Sequence, residues 1–182
     1  MFTSAPREQR TVVTTRDCPA RLVPVGTPII IPKNSFITLR QALGGTFTVT
    51  VKGNMARVDG TDADALGLTS DLDFNFAPPD GDRVREEDVW KALRTIYDPE
   101  IPVNIVDLHL VRAMSVAGDT VNIRMTLTAP TCGMGPVLVG DVEYRVGRVP
   151  NVKTVKVELE FDPPWDRSEL SDEVKLELGL PL

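Results

Sequence analysis

Cys132 stands in the run Ala129-Pro130-Thr131-Cys132-Gly133-Met134-Gly135-Pro136, between an alternating apolar stretch and a helix that Pro136 can open. Backbone N–H groups and the helix dipole at such a junction favour thiolate over thiol, the form that a metal ligand or a nucleophile needs. The flanking glycines let a bulky ligand approach the backbone. The same run also suits a small buried hydrophobe in a Gly-rich turn. Upstream, Asp98-Pro99-Glu100-Ile101-Pro102 presents two carboxylates on a stiff loop, either for a ligand or as solvated acids where a helix stops. Asp107 either serves a ligand or caps its loop through local N–H groups. His109 with Cys132 and Asp107 makes a thiol–base–orienter set of the kind cysteine hydrolases use; otherwise it packs as a hydrogen-bonded neighbour. The carboxylate pairs are too unspecific in their spacing to name an acid–base reaction.

Positioning these residues requires elements that the patterning supplies. Val89, Trp90, Leu93, Ile96 and Tyr97 recur at helical spacing, with Glu86, Glu87 and Asp88 in the first turn and Pro99 beyond the end. Val111–Val116 and Val121–Thr128 flank Gly118-Asp119 and read as a hairpin. Val139, Val142, Val146 and Val149 share a helix face after Pro136. Val155, Val157, Leu159 and Phe161 alternate with charged residues as a third strand, and Ser171–Leu178 is a capped terminal helix before Gly179. The expected order is α-β-β-α-β-α, an α+β layer of helices on a three-stranded mixed sheet. With the turn at 118–119, opposed hairpin residues should sum to about 237. A right-handed crossover makes the third strand parallel to the second. Asp98, Glu100, Asp107, His109, Cys132, Asp162 and Trp165 then share one rim.

The first half differs in character. Leu22–Val25, Ile29–Ile31, Phe36–Leu39 and Phe47–Val51 are apolar runs separated by Gly, Pro or Asn, and Thr38–Leu43 reads as one helical turn. The expected organisation is a flexible arm over residues 1–19, a small β-rich module over 20–76, a linker over 77–83 and the α+β domain over 84–182. Cys18, placed in the arm, reads as an incidental thiol.

Composition narrows the functions available. The 182 residues carry a net charge of −6, all of it in residues 81–182, which argues against nucleic acid or anionic membrane as partners. The longest aliphatic run, Ile29-Ile30-Ile31, is far below the ~20 residues of a membrane span. Thr11-Val12-Val13-Thr14-Thr15 is β-branched, unsuited to the amphipathic helix of a transit peptide, so a cytoplasmic protein is expected. Two cysteines and one histidine exclude a disulfide scaffold and a four-ligand Cys/His zinc site in one chain.

The run Asp98-Pro99-Glu100-Ile101-Pro102-Val103-Asn104-Ile105-Val106-Asp107-Leu108 resembles the hallmark of the MIP18-like family of iron–sulfur cluster assembly proteins, as does Met125–Pro130 followed by the cysteine. Cys132–Leu138, Phe161-Asp162-Pro163-Pro164-Trp165-Asp166 and the extra N-terminal module are similar to its bacterial SufT subgroup. The resemblance implies an α+β domain and an auxiliary role in maturing iron–sulfur enzymes. It also implies that Cys132, Asp107 and Glu100 occupy the family's characteristic positions. His109 stands where the family usually has Gly, adding a metal ligand or a bulkier wall to the rim; Thr131 stands where the subgroup usually has Gly.

The leading expectation is a maturation factor that handles iron or an iron–sulfur cluster transiently. Its partners would be carrier or scaffold proteins and client apo-enzymes. One cysteine cannot hold a cluster that wants four protein ligands. Either two chains of a homodimer each contribute Cys132, with His109, a carboxylate or a small thiol completing the shell, or the protein only contacts carriers and clients. The rival readings are an adaptor without metal chemistry, docking through its acidic rim and tail, and a cysteine hydrolase.

Overall fold

The computed structural model describes residues 9–43, 45–70, 72, 74–98, 101–130 and 133–182, and the chain divides into two units, Met1–Leu72 and Asp73–Leu182. In the first unit six strands form an antiparallel sheet in the order β1-β4-β5-β6-β2-β3. They are β1 (Arg10–Val13), β2 (Cys18–Leu22), β3 (Pro28–Ile31), β4 (Phe36–Leu43), β5 (Thr46–Val51) and β6 (Asn54–Asp59). Ile31, Ile37, Val49, Ala56 and Val58 build the core, closed by Ala63, Ala65 and Leu66 of a 3₁₀ segment, Gly60–Leu66. Lys52 and Gly53 both have positive φ, the twist-matched turn that joins β5 to β6. A Cβ on Gly60 would stand 2.2 Å from the Gly45 carbonyl oxygen, so this close approach admits only glycine.

Three expectations for this unit are corrected. Residues 10–13 are not part of a loose arm: they pair with β4 from Arg10↔Leu39 to Val13↔Phe36. Their β-branched run fits an edge strand as well as it disfavours a helix. Thr38–Leu43 is strand, not a helical turn, because β1 and β5 both pair with β4, whereas one isolated turn would not repay its nucleation cost. The run Leu22–Val25 ends β2 rather than forming a strand, as Pro24 has no N–H for a ladder and Gly26 turns at φ 77°.

The second unit has the expected order. It comprises α1 (Glu86–Arg94), β7 (Val111–Ala117), β8 (Thr120–Met125), α2 (Gly135–Val146), β9 (Thr154–Leu159) and α3 (Asp172–Glu177). The hairpin runs from Ala117↔Thr120 to Ala113↔Arg124, each pair summing to 237, then slips by one to Val111↔Met125 across a bulge at Arg112. β9 lies parallel to β8, Thr120↔Thr154 to Met125↔Leu159. Val89 and Leu93 of α1 and Val142 and Val146 of α2 cover Val121, Ile123 and Met125. Arg145, fully buried on α2, donates to the Thr95 carbonyl at the end of α1 (2.7 Å), locking the two helices. A Cβ on Gly135 would meet the Leu127 side chain at 2.7 Å, so the first residue of α2 seats directly on the core. Among the described residues no helix is long and apolar enough to cross a membrane.

Candidate functional site

The loop between α1 and β7 is built before its functional residues are placed. Tyr97 and Asn104 form an antiparallel bridge, and Ile105 N–H donates to the Ile96 carbonyl at 2.9 Å. Val103, Ile105 and Leu108 are buried and anchor the loop to the core. Asp98 is 4% exposed; its carboxylate accepts from the Ile101 N–H at 2.9 Å, and its own N–H donates to the Val103 carbonyl at 3.2 Å. Buried loop amides need acceptors, and Asp98 supplies one. It therefore holds the loop from inside and does not stand on the rim.

Asn104 organises the next turn. Its side-chain carbonyl accepts from the Val106 and Asp107 N–H groups, both at 3.0 Å, and its amide donates to Asp107 Oδ2 at 2.8 Å. The cap anticipated for Asp107 is therefore supplied by Asn104, and the Asp107 carboxylate faces outward on an exposed residue. His109 is also exposed, with φ 57°, a left-handed conformation that side chains with a Cβ rarely take. Between them the Leu108 carbonyl accepts a 2.6 Å hydrogen bond from Trp165 Nε1. Asp107, His109 and Trp165 thus meet on one patch.

A second tie reinforces it. Arg112, at the bulge of β7, forms a 2.6 Å ion pair with Glu169 and reaches the Pro163 carbonyl at 3.4 Å. The Arg112 hydrogen bond holds the Glu169 carboxyl below its ordinary range, with backbone donation at Asp166 and the charge of His109 adding to it. Asp162, exposed, lies in the chain just before this strapped segment. Glu100 and Cys132 lie outside the described residues. Among the described residues no three His, Cys, Asp or Glu side chains approach closely enough to hold a metal ion.

Reasoning from sequence overlooked Asn104, Arg112 and Glu169. Only Asn104 carried a signal, its spacing of two and three residues from Val106 and Asp107 being that of an Asx turn. Cys18 is correctly an unreactive thiol but misplaced. It is fully buried as the first residue of β2, and burial, then the Asp62 carboxylate, pushes its thiol up to about 12.

Residues 86–159 match the family described as iron–sulfur cluster assembly protein. The Fe-S protein maturation auxiliary factor of Porphyromonas gingivalis is 47% identical over 95 residues, 52% of this chain and 90% of that protein. The chain belongs to the iron–sulfur cluster assembly protein family. The maturation auxiliary factor SufT of Staphylococcus aureus is a further relative, 33% identical over 47% of this chain and 98% of its own length. In fold, a conserved hypothetical protein of Thermotoga maritima superposes with a TM-score of 0.50 at 32% identity, over 56% of this chain and all of that one. The expected MIP18-like membership and the helix-on-mixed-sheet architecture are therefore both borne out.

Proposed function

We infer that this chain is an auxiliary maturation factor for iron–sulfur proteins, taking iron or a cluster as transient cargo and passing it to client apo-proteins. The observation that carries the reading is the relation to named maturation factors over nine-tenths of a relative's length. The patch around Asp107 and His109 supports it, offering an exposed carboxylate and an exposed imidazole on a loop fixed from both sides.

The soft ligand in this reading is Cys132, three residues before the start of α2. Cys18 is a poor alternative, since its buried thiol stays protonated. With Asp107, Glu100 and His109 as oxygen and nitrogen donors, one chain supplies a single thiolate. Four-ligand clusters then need a second chain or a thiol from the partner, which suits cargo held briefly better than a resident cofactor. The role needs no turnover and involves protein partners of the carrier and client type.

Anaerobic reconstitution with iron and sulfide tests this, followed by absorption spectroscopy of wild type and Cys132→Ala side by side. Charge-transfer absorbance in wild type that Cys132→Ala loses is the expected result. Equal spectra from both proteins would remove Cys132 from the ligand set.

A further inference from the structure

The C-terminal stretch of the second unit combines an apolar cleft with a charge that the rest of the chain lacks. Residues 158–182 hold eight carboxylates against two cations, a net −6 that equals the net charge of the whole chain. In the same stretch Trp165, Leu170, Leu178 and Leu180, with Ile101 and Pro102 from the loop after α1, line a cleft of about 230 Å³. Trp165, Leu178 and Leu180 pack on the core yet remain only half-buried, so their outer edges form the floor. The charged side chain lining this cleft is Arg167, while Asp166 and Glu177 are exposed next to lining residues in the chain and Asp172 and Glu173 are exposed on α3 between Leu170 and Leu178. Asp172 lies 3.9 Å from Lys175, but no ion pair engages Glu173 or Glu177 among the described residues.

Charge complementarity selects the occupant. A cleft floored by Leu and Trp rewards an apolar anchor, and the net −6 of the stretch that supplies most of its lining, Arg167 included, favours a cationic segment over an anionic one. We propose that this cleft seats a basic, apolar-anchored segment of a partner protein, its aliphatic or aromatic side chains on Trp165 and Leu178 and its Lys or Arg side chains toward the exposed Glu173 and Glu177. The partner's role as cluster donor or client rests on the maturation reading above, but the binding itself does not. Trp165 gives the seat a link to the site, because it lines the cleft and also holds Leu108 between Asp107 and His109.

The test uses the full chain without cluster. Trp90→Phe leaves Trp165 as the only tryptophan, so its emission reports the cleft. The probes are an amphipathic Lys/Leu peptide and a Glu/Leu peptide of the same pattern. The Lys/Leu peptide should shift Trp165 emission and weaken about tenfold on raising salt from low to near-molar ionic strength. Leu178→Ser/Leu180→Ser should lose binding while Leu176→Ser, at an exposed leucine outside the cleft, keeps it. Glu177→Lys, at an exposed position in the last turn of α3 where a cation suits the helix dipole, should also weaken binding with no loss of thermal stability. Equal binding by the Glu/Leu peptide, undiminished Lys/Leu binding to Leu178→Ser/Leu180→Ser, or concentration-dependent self-association that occupies the cleft would each overturn the proposal. Because no iron is present, failure here leaves the reconstitution result untouched.

Discussion

Trp165 donates its indole N–H to the Leu108 carbonyl at 2.6 Å across 57 residues of sequence, and this bond fixes the turn that displays Asp107 and His109. Buried Ile105 and Leu108 anchor the turn from below, Asn104 organises its first half locally, and the indole bond from the strapped segment 163–169 ties its second half. Site geometry in this protein is therefore set by the C-terminal stretch as much as by the loop.

Trp165→Phe keeps the apolar packing but leaves the Leu108 carbonyl without its donor. A loss of about 1 kcal/mol is expected in chemical denaturation. Amide exchange should quicken selectively at residues 105–110, with β8 unaffected. Uniform protection across the loop would show that the bond does not hold it.

His109 adopts φ 57°, where a Cβ is strained and glycine is not. His109→Gly is expected to be more stable than His109→Ala by about 1 kcal/mol, measured by urea denaturation. Equal stability of the two would mean that the loop relaxes at no cost.

The Arg112–Glu169 ion pair makes a pH prediction. Glu169 is held below its ordinary range in the folded protein, so its stabilisation is present above the unfolded value and is lost as pH falls through the folded one. Stability of wild type should decline below about pH 4.3, the unperturbed glutamate value. Glu169→Gln should start lower at neutral pH and fall less steeply over the same range. Parallel pH profiles would rule out the pair as a contributor.

Cys18 is buried, with its thiol pushed up to about 12 chiefly by that burial. In native protein at pH 8, iodoacetamide followed by peptide mass spectrometry should leave Cys18 unlabelled, and unfolding in guanidinium should expose it. Rapid native labelling of Cys18 would reopen its exclusion from the ligand set.

Much of the second unit was legible in the chain because its determinants are local. Alternation from Val121 to Leu127 and the turn at Gly118-Asp119 specify the hairpin register, and every pair from residue 113 to 117 obeys the sum of 237. The slip at Arg112 was not legible, since the bulge serves an ion pair with a residue far along the sequence. Asp98 misled for a related reason. An acid before proline looks solvated, whereas the folded loop turns it inward to meet an amide. In the first unit, pairing of β1 with β4 is non-local, and the β-branched run of residues 11–15 signalled only what it would not form. Of the candidate site, the shared patch of Asp107, His109 and Trp165 was foreseeable from topology, but the atoms that fix it were not.

The measurement that bears most directly on the maturation reading is cluster occupancy of a client iron–sulfur enzyme, purified from cells under high cluster demand that carry either wild type or Cys132→Ala. Lower occupancy in the variant cells, at equal levels of both proteins, is the expected result. Unchanged occupancy would contradict a role for Cys132 in handling the cargo.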